Sequence, residues 1–207
     1  MEDIEAEGRL LDAAEALFYG HGVQAVGMDR IRAASGVSLK RLYQCFASKE
    51  ELVEAYLRRR DRRWRGALAA RVAAEHSVAD RPLAVFDWLE EWFGEPDFRG
   101  CAFLNAFGEM GAGSAAVADA VRDHKAEVRG YLLGLVRDAG AADPEALADQ
   151  LAVIVDGAIT TAAVTGAPGA AGRARSAAAV VLAAAGVTGG NTEGRERSRG
   201  KRNRATG

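Results

Sequence analysis

The segment Met28-Asp-Arg-Ile-Arg-Ala-Ala-Ser-Gly-Val-Ser-Leu-Lys-Arg-Leu-Tyr-Gln-Cys-Phe-Ala-Ser-Lys-Glu-Glu-Leu52 constrains the fold more than any other part of the chain. It reads as two short helices around Ser35-Gly36-Val37, followed by a third with its own cap. Gly36 allows a turn at positive φ where a Cβ would clash, Val37 closes a small core, and Ser38 is placed to cap the next helix. Leu39 to Phe46 is then the expected recognition helix of a helix-turn-helix, a unit that lays one helix in the major groove of DNA.

Apolar residues at helical spacing, with almost no alternating β-branched runs, predict an all-α protein. Leu10, Leu11, Ala14, Leu17 and Phe18 form the inner stripe of the first helix, stopped by Gly20 and Gly22, and Ile31 and Ala34 pack the second. Ser48 with Glu51 makes a capping box that starts a fourth helix, running through Leu52, Tyr56, Trp64, Leu68 and Val72. A fifth helix opens at Asp80-Arg81-Pro82 and ends at Gly94-Glu95-Pro96-Asp97, a sixth follows Cys101, and a seventh spans Ser114 to Ala139, closed by Gly140. Asp143-Pro144-Glu145 supplies cap, first-turn proline and first-turn acid for an eighth, and the loop Gly166 to Gly172 leads to an alanine-rich ninth. The apolar run Leu151 to Ala167 contains Asp156, Thr160 and Thr161 and meets Pro168, so it reads as a buried helix and not as a membrane span.

With 49% hydrophobic and 27% charged residues among 207, the chain is ordinary globular material, which excludes disorder throughout. A net charge of -2 lacks the basic excess of a nonspecific architectural DNA-binding protein. Charge is instead local. Arg58, Arg59, Arg60, Arg62, Arg63 and Arg65 read chiefly as a solvated face of the fourth helix, and a tail from Gly189, with Arg195, Arg197, Arg199, Lys201, Arg202 and Arg204, reads as disordered and suited to nonspecific phosphate attraction. Cys45 and Cys101 are too few for a disulfide framework or metal site, and with Glu2, Asp3, Glu5 and Glu7 in place of a basic leader they fit a reducing cytoplasm. No Walker loop, dinucleotide fingerprint or nucleophile elbow is present, and the three histidines lack metal-ligand spacing, so neither an enzyme nor a cofactor is expected.

Val37-Ser38, Leu42-Tyr43, Phe46 and Ser48-Lys49-Glu50-Glu51-Leu52, preceded by a helix ending Leu17-Phe18-Tyr19-Gly20-His21-Gly22, together resemble the tetracycline-repressor (TetR) family of transcriptional regulators over roughly residues 9 to 57. The resemblance implies a DNA-binding domain over 1–57, a helical domain over 58–187 that dimerises and encloses a small effector, and a basic tail over 188–207. It also implies repression relieved by that effector.

Leu39, Lys40, Arg41 and Gln44 are the candidates to face base edges: Lys or Arg pairs with guanine O6 and N7, Gln with adenine, and Leu39 touches a thymine methyl. Tyr43 and Lys49 match positions where the family contacts phosphate, a positioning role, and Leu42 and Phe46 are core. Two departures stand out. Gly27-Met28 replaces the Thr or Ser that caps the second helix and touches phosphate, with Arg30 as its substitute, and Lys40 replaces a small residue. Together with Ser38 these form the candidate DNA-binding set.

Among the aromatics of the middle helices, Trp92, Phe103 and Phe107 are candidates for an effector pocket, with Asn105, Glu109 or His124 as orienting polar groups. The eighth and ninth helices are expected to form a homodimer on a near-palindromic double-stranded operator. Two other readings differ in class: a helical small-molecule-binding module whose DNA recognition has decayed, and release of DNA by oxidation of Cys45.

Overall fold

The computed structural model describes residues 3–166 and 169–188; the Pro168 stop and the basic tail lie outside them. Among the described residues there are nine α-helices and no strand: α1 (Asp3–His21), α2 (Met28–Ser35), α3 (Leu39–Cys45), α4 (Lys49–Ala73), α5 (Arg81–Phe93), α6 (Ala102–Met110), α7 (Ala115–Asp138), α8 (Pro144–Thr165) and α9 (Ala170–Ala184). Two boundaries and one buried position differ from the sequence reading. Gly20 stays inside α1, which stops at the left-handed Gly22, Gly172 lies inside α9, and Ala34 is exposed while its neighbour Ser35 is buried.

Two compact units are formed. The first comprises residues up to Ala67 with Gly94–Val128 and Ala162–Gly166; the second comprises Leu68–Phe93, Arg129–Thr161 and the described residues after 168. In the first, Leu10, Ile31, Leu42, Leu52 and Leu57 are fully buried, each contributing about 1.5–3 kcal/mol by leaving water. In the second, α5 buries Ala84, Val85, Phe86, Trp88, Leu89 and Trp92, and α9 buries Ala171, Ala174, Ala178 and Leu182, whose small side chains permit close approach. Arg175 on α9 reaches Asp87 on α5 at 2.7 Å. Asp143 caps α8 by accepting from Ala146 N at 3.2 Å.

Along α8, Leu147, Leu151, Val155, Ala158 and Ile159 are buried, but Val153 and Val164 are 72% and 79% exposed. The expectation of a buried helix therefore holds for one face only. α8 is the described helix long and apolar enough to cross a bilayer, and Asp149, Gln150, Thr160 and Thr161 are exposed on it.

The arginine run of α4 is a solvated face only in part: Arg58, Arg62 and Arg63 are exposed and Arg59, Arg60 and Arg65 half-buried. Helical periodicity divides all of them but Arg62 between two neighbours. Toward α1, Arg59, Arg60 and Arg63 converge on the single carboxylate of Glu15 at 3.3, 3.1 and 2.8 Å, and Arg59 also pairs with Asp12. Arg60 lies over the Tyr19 ring at 3.8 Å. Toward α7, Arg58 meets Asp123 at 3.2 Å, Arg65 meets Glu127 at 3.1 Å, and Asp61 accepts from His124 Nδ1 at 2.7 Å. Burial pushes the Asp61 carboxyl up, but hydrogen bonds from Arg65 and His124 outweigh it and hold the group below the usual carboxylate range.

α6 is attached to α1 and the turn after it at both ends. Tyr19 Oη accepts from Arg99 N at 2.8 Å and donates to Gly100 O at 3.0 Å, just ahead of α6. At the far end Gln24 N donates to Glu109 Oε2 at 2.6 Å, and the Gln24 side-chain amide donates to the Glu109 carbonyl. Gly100 has φ 80°, and a Cβ there would stand 2.8 Å from the Ala163 methyl.

Two outcomes are expected. Gly100→Ala combines a left-handed alanine with overpacking and should destabilise by about 2–4 kcal/mol, read as a lowered Tm; an unchanged melt would contradict this packing. Because the Asp61 pKa is depressed, its contribution is present above about pH 4 and lost as pH falls through the lowered value. Melts in acid should therefore show a shallower pH dependence for Asp61→Asn than for the unaltered protein.

Candidate DNA-reading site

The site is built from the α2–α3 turn outward. Gly36 adopts φ 65°, and its N–H donates to Arg32 O at 3.1 Å, ending α2. Buried Ser35 ties the same turn down, its Oγ donating to Arg32 O at 3.1 Å and accepting from Val37 N at 3.3 Å. From α1, the Arg9 guanidinium donates to the Ser35 carbonyl. Ser38 then caps α3 by accepting from Arg41 N at 3.3 Å.

Leu42 and Phe46, at 0% and 6% exposure, root α3 in the core one turn apart. That phase turns Leu39, Lys40, Tyr43 and Gln44 outward, with Leu39 45% and Tyr43 49% exposed. Two large apolar or aromatic side chains are thus held in water on the one face that packing does not claim. Arg41 is half-buried, and its Nη1 donates to Gln44 Oε1 at 3.2 Å.

Lys49 opens α4, where Ser48 Oγ accepts from Glu51 N at 3.2 Å. Glu51 reaches back to Ala47 N at 2.7 Å, one residue further than the expected box. α2 starts at Gly27 with no side-chain cap, leaving Arg30 exposed on its first turn. The side chains of Arg30, Lys40 and Lys49 form no ion pair or hydrogen bond with the described residues, in contrast to Arg58, Arg59, Arg60, Arg63 and Arg65 of α4. Uncommitted cations of this kind suit phosphate, and outward Leu39, Tyr43 and Gln44 offer an apolar, a hydroxyl and an amide contact.

The proposed effector residues fall into different settings. Phe103 and His124 are buried and stacked, ring centroids 3.5 Å apart and 2° from parallel, with Trp64 edge-on to the imidazole at 5.5 Å. Asn105 is exposed and donates to Arg99 O at 3.1 Å, and Phe107 is 44% exposed. Asn105 and Glu109 border a cavity of about 90 Å³ with Phe18, Val23, Tyr56 and Ala106. Trp92, in the second unit, stacks on Trp88 at 5.5 Å. Cys45 is half-buried at the end of α3. Glu15 and Gln24, which organise the surroundings of the site, carried no signal of their own in sequence, because each partner lies dozens of residues away, and the roles of Tyr19 and Asp61 toward Gly100 and His124 were hidden for the same reason.

Comparison with known proteins gives this geometry a family. The sequence profile of the bacterial regulatory proteins of the tetR family matches residues 10–56, and that of the tetracyclin repressor-like C-terminal domain matches residues 78–178. A TetR-family transcriptional regulator from Streptomyces coelicolor, SCO4454, superimposes with a TM-score of 0.81 at 30% identity, over 88% of this chain and 96% of that one. A TetR regulator from Streptomyces avermitilis gives 0.75 at 32% identity, over 88% and 99%. The HTH-type regulator Rv1255c of Mycobacterium tuberculosis is 38% identical over 78 residues, 38% of this chain. The HTH-type activator FasR of Mycolicibacterium smegmatis is 49% identical over 55 residues, 27% of this chain. These two matches span 39% and 25% of those relatives' length. With helix-turn-helix, helical C-terminal part and structural likeness over 88% of the chain in agreement, the chain belongs to the TetR family of DNA-binding transcriptional regulators, which are not enzymes.

Proposed function

We propose that this chain is a cytoplasmic homodimeric repressor that reads a near-palindromic double-stranded operator and leaves it when a small, largely apolar effector binds. The observation that carries the reading is the outward row Leu39, Lys40, Tyr43 and Gln44 on a helix rooted by Leu42 and Phe46 and capped by Ser38. In this reading Tyr43 and Lys49 hold phosphate, Arg30 stands in for the missing cap residue of α2, and residues 1–57 form the DNA-reading domain.

Dimerisation is supported by the exposed faces of α8 and α9. Val153, Gly157 and Thr160 are exposed at helical spacing on α8, as are Ala177, Val180 and Ala184 on α9. Small and apolar residues predominate in that pattern and suit an intermolecular four-helix bundle. The effector is proposed to act beside Phe103 and His124, where α6 meets α7, because α6 is bonded through Tyr19 and Gln24 to the DNA-reading end of the chain. It shifts DNA binding only by favouring one conformation over the other. Activation from a bound operator is the second reading, favoured by the name of FasR, the activator to which this chain is 49% identical over 55 residues.

The test is selection of random duplexes by the purified protein, with Tyr43→Ala plus Lys49→Ala as paired control. The expected result is a palindromic motif with half-sites about 34 Å apart, bound by a dimer, and weakened roughly uniformly across sequences in the double variant. Absence of enrichment would overturn the operator reading and favour a small-molecule-binding module. A reporter behind the selected operator then separates repression from activation by the direction of change on deletion.

A further inference from the structure

We infer that Arg41 and Gln44 read DNA as one coupled pair, in which Gln44 acts as a donor and selects guanine or thymine in place of adenine. The inference rests on the operator-reading proposal and adds which base chemistry the recognition helix takes.

A glutamine standing alone on a recognition helix favours adenine, because its oxygen accepts from N6 while its NH2 donates to N7. Gln44 does not stand alone. Arg41 lies three residues earlier, a spacing that puts two side chains next to each other on a helix surface, and its Nη1 donates to Gln44 Oε1 at 3.2 Å. A charged donor makes this a stronger bond than one between neutral groups. It is also well anchored at its base: the Arg41 backbone N–H is bound by the Ser38 cap, and the residue is half-buried while Gln44 is exposed.

The bond sets the direction of the Gln44 amide. Its oxygen is turned toward the guanidinium, and its NH2 is what remains to be offered to the groove. A second lone pair on that oxygen does not restore adenine, since an adenine N6–H placed there would face the positive N–H groups of Arg41. Cytosine, which presents the N4 donor, is disfavoured for the same reason. Guanine, with N7 and O6, and thymine, with O4, present acceptors to this surface of donors. Because the two side chains are already paired, less rotamer freedom is lost on docking than for two independent long chains.

A coupled pair leaves a signature that independent contacts lack: removing one residue changes the base preferred by the other. Random-duplex selection on the unaltered protein, Gln44→Ala and Arg41→Ala tests it. The half-site column whose preference Gln44→Ala erases is the one Gln44 reads. In the unaltered protein that column should favour guanine or thymine. In Arg41→Ala the freed amide should turn the same column toward adenine, the adenine-to-guanine ratio rising about tenfold, the equivalent of about 1.4 kcal/mol. Gln44 is exposed and Arg41 half-buried, and equal melts together with unchanged columns outside those the pair reads would show that the fold and docking persist.

An adenine preference in the unaltered protein, or a Gln44 column indifferent to Arg41→Ala, overturns the pair while leaving the operator reading intact. No motif for the unaltered protein overturns both.

Discussion

One carboxylate holds the DNA-reading end of this chain to its longest helix. Glu15 on α1 takes hydrogen bonds from Arg59, Arg60 and Arg63 of α4, and its side chain is only 20% exposed. A single exposed ion pair is worth little, but three guanidinium groups sharing one shielded carboxylate form a network whose members hold each other in place. Arg60 extends it by lying over Tyr19, and the Tyr19 hydroxyl reaches the backbone ahead of α6. Glu15 thus joins α1 to α4 by charge beside the apolar contact of Phe18 with Tyr56.

The charges of the chain fall into two populations. Arg59, Arg60 and Arg63 of α4 are matched to acids on α1, and Arg58 and Arg65 to acids on α7, whereas the side chains of Arg30, Lys40 and Lys49 have no acid to answer them within the described residues. Net charge conceals this arrangement completely. A protein close to neutrality can still present a cationic reading face, provided its other arginines are occupied internally.

The parts of the fold governed by local chemistry were legible in the residues. Gly36 at positive φ, the Ser38 and Asp143 caps, and the Leu42 and Phe46 anchors follow from turn geometry, capping and helical phase, all of which act within a few residues. The parts governed by distant partners were not. Arg59 and Arg60 looked solvated because nothing near them in sequence marks Glu15 as their acceptor. Ser35 and Ala34 exchanged roles because a hydroxyl can be buried once the turn supplies Arg32 O and Val37 N, which hydropathy does not register. Phe103 and Phe107 share a helix and a chemistry, yet one is stacked on His124 and the other is 44% exposed, since only the position of α7 distinguishes their faces.

The split of the α4 arginines between two neighbours makes that helix sensitive to phase more than to composition. One extra residue near Arg58 would rotate Arg59, Arg60 and Arg63 by about 100° about the helix axis and turn them away from Glu15. An insertion of seven residues would restore the phase to within about 20° but carry them about 10 Å along the axis, out of reach of the same carboxylate. The three contacts to Glu15 therefore fix the length of α4 ahead of them as well as its phase, a measure written in side-chain charge.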